Sequence, residues 1–299
     1  MSDPTDEQRE YASAYIVQDR SNQDEMTRLD LQDKMVTSGM GGVLPELTDP
    51  TSLRRVLDVG CGTGGWLIET ALTYPHIEKL VGADISSKLT AHARAQAEKL
   101  GLDGRVQFQT MDALRILEFP PSSFDLVNQR AAASWLRTWE WTKILLEYQR
   151  VTRPGGIIRL TEFGGVESNS PALSQLLDIN VKAFHHSGHF FTDSHNGVTG
   201  ELVRLLTQHG IQEVNTHLHT LVYRPGTEAH QGFCDNIALW FRVGLPFYRK
   251  WTNVPSDYEQ IHQQALKEIQ QPDFEAKWAL LTTWGIRTEG QLPLMRGLM

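Results

Sequence analysis

The chain has only two cysteines, Cys61 and Cys234, in 299 residues. Cys61 lies inside a glycine turn, so a structural disulfide is not expected, and two cysteines cannot build a cysteine-rich zinc site. No stretch approaches the ~18 consecutive apolar residues that a membrane span needs. Positive charge is not in excess: 28 Lys and Arg against 36 Asp and Glu give a net charge of −8, which disfavours a nucleic-acid partner. The opening M-S-D-P-T-D-E-Q is acidic and polar, unlike a secretory or transit signal. Internal repeats and low-complexity linkers are also missing. What remains is the expectation of a cytoplasmic protein with a real core, one domain with insertions, no membrane partner and an oligomeric state left unread.

What the chain does have is residues 55–66, R-V-L-D-V-G-C-G-T-G-G-W. The β-branched and leucine run Val56, Leu57 and Val59 reads as a buried strand, with an acid, Asp58, near its end. Three alternating glycines follow, Gly60, Gly62 and Gly64. Glycine is needed where backbone takes positive φ or comes close to a ligand. A helix is expected next, over 65–73. Strand, glycine turn and helix N-terminus together make a nucleotide-type site.

The rest of the chain alternates around that unit. Residues 1–6 are expected to be disordered, and 7–38 to form two helices broken near Ser21-Asn22, with Asn22 and Glu25 as a capping box. Met26, Leu29, Met35 and Val36 recur there at helical spacing. After the first strand (54–59), strands are expected at 79–84, 105–110, 124–128, 157–162, 211–223 and 278–284. Helices are expected at 87–100, 139–150 and 197–209, with 228–270 helical and aromatic-rich. Strands alternating with helices imply a parallel sheet with ligands at the carboxyl ends of its strands. The division expected is an N-terminal helical lid (1–50), a nucleotide-binding core (51–227), a helical insertion over the substrate site (228–275), and a last strand and tail (276–299).

Two cofactors fit the glycine turn. G-x-G-x-x-G with Asp84 about twenty residues on also satisfies the dinucleotide fingerprint of NAD enzymes. Three features favour another nucleotide. Asp58 can meet a ligand ammonium group. Asp112, between Met111 and Ala113, can accept from an adenine amino group. The turn and strand R-P-G-G-I-I-R-L stand where a second nucleotide-binding half would be.

With these motifs the chain resembles the class I S-adenosylmethionine-dependent methyltransferases. V-L-D-V-G-C-G-T-G, G-A-D-I-S, Q-T-M-D-A, F-D-L-V and V-T-R-P-G-G follow that family's order and spacing across 54–162. The resemblance implies an α/β, doubly wound, mostly parallel seven-stranded Rossmann-like sheet with an antiparallel last strand. It implies S-adenosyl-L-methionine as cofactor and S-adenosyl-L-homocysteine as product. It also implies that Asp58 and Gly60 hold the methionine end, Asp84 the ribose hydroxyls and Asp112 the adenine, with Ile85 and Met111 on the two faces of the ring. Cys61, Gly62, Gly64, Ala113 and Asn128 complete the implied cofactor shell. The segment holding Tyr15, Glu25, Arg28, Leu29 and Gln32 is similar to the lead-in helices of small-molecule, secondary-metabolite methyltransferases, in which the tyrosine and glutamine approach the cofactor.

The acceptor side is read from residue types. His185, His186, His189 and His195 cluster after the fifth strand, and one of them could act as general base. No metal motif accompanies them. Glu162, at the end of that strand, is a competing base or substrate anchor. Trp135, Phe163, His189, Phe233 and Trp240 are candidates to line a substrate cavity. The fourth strand leads into Asn128-Gln129-Arg130-Ala131 and lacks the N/D-P-P-Y/F signature of enzymes that methylate DNA bases or protein glutamine. That favours a small molecule methylated at oxygen, nitrogen or carbon. A cofactor-binding protein with other chemistry or a regulatory role, and an NAD-dependent oxidoreductase, stand as alternatives.

Overall fold

The computed structural model describes residues 15–17 and 23–289. The expected capping residue Asn22, most of the helix expected before it, the start expected to be disordered and the last ten residues lie outside the described residues. The first helix, α1, spans Gln23–Gly39. The core then alternates: β1 Arg55–Val59, α2 Gly65–Thr73, β2 Lys79–Asp84, α3 Ser87–Lys99, β3 Val106–Thr110, β4 Phe124–Arg130, α4 Trp141–Val151 and β5 Thr152–Ser168. Next come α5 Pro171–His186, α6 Leu202–Gln208, β6 Gln212–Tyr223, the helices α7 Glu228–Val243, α8 Leu245–Trp251 and α9 Tyr258–Glu268, and finally β7 Ala276–Ile286.

The strands form one seven-stranded sheet in the order β3-β2-β1-β4-β5-β7-β6. β1 to β5 pair in parallel, and β7 runs antiparallel to both β5 and β6. Strand order reverses beside β1, so β1 and β4 flank the crevice where open α/β sheets bind ligands. The middles of the central strands are apolar because helices cover both faces: Val56, Leu57, Leu80, Val81, Leu126 and Val127 are fully buried.

Local chemistry explains the boundaries. Gly64 sits at φ 80°, and a Cβ there would stand 2.6 Å from the Phe108 ring, so only glycine can join the turn to α2. Ser86 caps α3 by accepting from the Leu89 amide at 3.3 Å, which leaves Asp84 free of that duty.

Two elements differ from expectation. β5 continues past Glu162 to Ser168, because Gly164 and Gly165 form a bulge against β7 with the register shifting between Phe163 and Val166. Helix α5 occupies the stretch after the fifth strand, where no helix is expected from the sequence and His185 and His186 form its last turn. Ser170 caps it by accepting from the Leu173 amide, Pro171 occupies its first turn, and Leu173, Leu176 and Phe184 bury one face. The 228–270 region is helical as expected, in three pieces. These pieces and α5 share one apolar cluster with β6 and β7. Among the described residues no helix is long and apolar enough to cross a membrane.

Candidate active site

The carboxyl ends of β1, β2, β4 and β5 open into a cavity of about 340 Å³. Its floor is the glycine turn. Gly60, Gly62 and Gly64 all take positive φ. Gly62 lines the cavity with open space where a Cβ would stand, so a ligand can approach its backbone. The Gly62 amide donates to Asp84 Oδ2 at 2.9 Å, and the Ser86 amide donates to Oδ1 at 2.9 Å. The carboxylate at the end of β2 is thereby fixed against the turn while still lining the cavity. Asp112 follows β3, and its Oδ1 accepts from the Leu114 amide at 2.9 Å. Ile85, Met111 and Ala113 line the same end.

Asp58 lines the cavity from β1 and is buried. Burial pushes its carboxyl up to about 7, against the Asn128 hydrogen bond and the Arg159 charge, which pull it down. Asn128 does not line the cavity. It lies behind Asp58 on β4, fully buried, and donates Nδ2 to Asp58 Oδ1 at 2.7 Å. Gly64 is likewise behind the wall. Cys61 lines the cavity, but burial and the nearby Asp84 and Asp58 charges push its thiol well up, which suits a backbone role rather than a nucleophile.

The opposite wall comes from α1, α5, α7 and the ends of β5 and β7. Trp135, Phe163 and Trp240 line it, and Phe163 stacks on Trp278 with ring centroids 4.7 Å apart. Trp135 lies over the glycine turn: a Cβ on Gly60 would meet its Nε1 at 3.0 Å. Phe233 is outside the cavity, stacked on Tyr223 in the core. Tyr15 and Gln32 both line the cavity. They belong to a network centred on Arg28, which pairs with Glu25 at 2.8 Å, donates to Gln32 Oε1 at 2.6 Å and lies 4.6 Å from the Trp240 ring centroid. Tyr15 donates its hydroxyl to Glu25.

The candidate bases separate. Glu162 is fully buried under the loop after β4 and does not reach the cavity. It accepts from Gln129 Nε2 at 2.8 Å and from the Ala132 and Ala133 amides at 2.7 and 3.2 Å. Burial pushes it up to about 7 despite these bonds. His185 and His186 occupy the last turn of α5, away from the cavity, and His186 meets the Trp251 carbonyl at 2.9 Å. His189 is buried against Ser187 Oγ at 2.8 Å. His195 is the member of that cluster that lines the cavity, with Nε2 3.7 Å from Asp178 Oδ1. Among the described residues no group of three or more His, Cys, Asp or Glu is arranged to hold a metal ion.

Some of these residues escaped sequence reading. Asp33 and Arg130, which pair with each other, and Asn180 and Asn236 also line the cavity. The apolar spacing of Leu173, Leu176, Leu177, Val181 and Phe184 after Ser170-Pro171 was a readable helix signal.

Residues 56–156 match the family described as "Methyltransferase domain". That stretch is a methyltransferase domain, and the sheet order around it is that of the class I methyltransferase fold. The chain is 26% identical to the 27-O-demethylrifamycin SV methyltransferase of Amycolatopsis mediterranei, over 84% of this chain and 78% of that one. It is 39% identical over 112 residues to the demethylmenaquinone methyltransferase of Deinococcus radiodurans, a match spanning 38% of this chain and only 44% of that relative. In architecture it resembles the Haemonchus contortus phosphoethanolamine N-methyltransferase 2 solved with S-adenosyl-L-methionine. That likeness has a TM-score of 0.55 at 17% identity, covers 93% of this chain and 61% of that one, and concerns the fold.

Proposed function

We propose that this methyltransferase moves the methyl group of S-adenosylmethionine onto an oxygen, nitrogen or carbon nucleophile of a small, apolar or aromatic molecule, by in-line displacement. One observation carries the reading: a single cavity joins the acid-and-glycine end, with Asp58, Asp84 and Asp112, to an aromatic end with Phe163, Trp240 and Trp278. When bound, the cofactor supplies an electrophilic methyl group on a sulfonium.

The chain's own residues do the rest. Asp58 takes the ammonium of the methionine end, the Gly60–Gly62 backbone makes the close approach, Asp84 takes the ribose hydroxyls and Asp112 the adenine. Ile85 and Met111 flank the ring. Helix α1 and the α7–α9 segment act as a lid that excludes water and holds the acceptor in line. His195, backed by Asp178 at the rim, is the histidine placed to take a proton from a hydroxyl or ammonium acceptor. The name of the Amycolatopsis relative, which specifies an O-demethylated small molecule, supports the acceptor class.

The test is turnover. The enzyme is incubated with S-adenosylmethionine and a panel of phenols, amines and enols, and S-adenosylhomocysteine is quantified. Acceptor-dependent product is expected. Tight cofactor binding with no product across the panel would sink the assignment.

A further inference from the structure

Seven buried side-chain polar atoms have no hydrogen-bond partner among the described residues, and one of them, Asn236 Oδ1, belongs to a residue that lines the cavity. Asn236 is 1% exposed and sits on α7. Its neighbours on that helix face are apolar: Phe233 and Ile237 are buried, and Trp240, one turn on, lines the cavity with it. An apolar side chain would continue this stripe. A buried acceptor left unpaired weakens the fold unless a group in the cavity donates to it.

A second amide stands nearby. Asn180, on α5, also lines the cavity. Its Oδ1 accepts from Trp240 Nε1 at 3.2 Å and from the Tyr248 hydroxyl at 3.1 Å. Those two donors fix the amide orientation and leave Nδ2 as its remaining hydrogen-bonding atom. Glu25 is paired with Arg28, and Asp33 with Arg130, so these acids on the lid side are neutralised within the protein. Phe163, Val166, Val181 and Phe184 supply apolar wall.

We propose that Asn236 selects the acceptor molecule: its Oδ1 accepts a hydrogen bond from a hydroxyl or N–H group on a neutral, otherwise apolar acceptor. Asn180 Nδ2 donates to an oxygen of the same molecule. This deepens the methyltransferase reading above and rests on it.

The test uses two probes with one ring system, 2-naphthol, which can donate, and 2-methoxynaphthalene, which cannot. Equilibrium dialysis measures their affinity for the S-adenosylhomocysteine complex of the wild type, Asn236→Leu and Asn236→Ala. Both variants must first match the wild type in S-adenosylhomocysteine affinity, which shows the cofactor end intact. The wild type should prefer 2-naphthol by about tenfold, the weight of one hydrogen bond to a buried acceptor. Both variants should bring the ratio near one. A ratio near one in the wild type, or a preference that survives both substitutions, overturns the proposal and leaves a trapped water as the partner of Asn236. Failure of the wild type to bind S-adenosylhomocysteine overturns instead the reading beneath it.

Discussion

Asn128 Nδ2 donates to Asp58 Oδ1 across 2.7 Å, between residues in register on adjacent strands. The chain runs further. Asn128 Oδ1 accepts from Arg159 Nη1 at 2.7 Å, and Arg159 pairs with Glu46, both side chains fully buried. Asp58, at the glycine-turn end of the cavity, is thus aimed by a hydrogen-bonded chain through the sheet. Asn128→Leu should lose about 1–3 kcal/mol of stability, because Asp58 and Arg159 each lose a buried partner. It should also weaken S-adenosylhomocysteine binding by roughly tenfold, the weight of about 1.4 kcal/mol. Urea melts and calorimetry read the two effects. Unaltered affinity in a folded variant contradicts the positioning role.

A pH effect follows from the same acid. Burial raises Asp58 to about 7, and Glu162 also to about 7. The unfolded chain loses these protons near pH 4, so between about pH 4 and 7 the native state binds more protons than the unfolded one. Their contribution to stability is therefore greatest at the acid side of that window and declines as pH rises through it. Relative to Asp58→Asn, the ligand-free wild type should lose more in Tm on going from about pH 5.5 to pH 8. Parallel Tm profiles for the two proteins contradict the assignment.

Glu162 holds the loop that presents Trp135. Its oxygens are filled by Gln129 and by two backbone amides, Ala132 and Ala133. Glu162→Ala leaves those amides buried without an acceptor and should lose about 2–4 kcal/mol. Glu162→Gln keeps one acceptor oxygen and should retain kcat within about tenfold, with an unshifted pH–rate profile. Loss of more than ~100-fold with an intact fold would make Glu162 the proton acceptor.

Arg28 is buried beneath Trp240 with Glu25 as its counter-ion. Glu25→Ala strands that guanidinium and should destabilise the protein by about 3–5 kcal/mol. Tyr15 and Gln32 lose their anchor with it, so residual folded protein should also bind cofactor more weakly. Chemical denaturation monitored by tryptophan fluorescence measures the first effect. A loss below ~1 kcal/mol contradicts a structural pair at this site.

The parallel core was legible because its determinants are local. V-L-D-V followed by alternating glycines dictates a buried strand and a turn, and α2 and β2 fall where their patterns place them. The local pattern gives a strand only over 157–162, yet antiparallel pairing with β7 carries β5 on through Gly164 and Gly165 as a bulge, a contact more than a hundred residues away in sequence. Helix α5 carries a local apolar spacing, but its last turn, His185-His186, breaks that pattern with polar residues. The polar partners of the site were illegible for a plainer reason. Arg130 meets Asp33 across 97 residues and Arg159 meets Glu46 across 113, and no local pattern encodes such pairs. Asn236 stands out only once its helix is seen to face the cavity.

The measurement that bears most directly on the account is calorimetric titration of S-adenosylhomocysteine and of NAD into the wild type and into Asp84→Ala. The account predicts one S-adenosylhomocysteine site per chain, no NAD binding, and an affinity at least ~10-fold weaker in the variant, because the proposed charge-assisted bonds from the ribose hydroxyls to the Asp84 carboxylate would be lost. NAD binding by the wild type, or an unchanged S-adenosylhomocysteine affinity in Asp84→Ala, would contradict it.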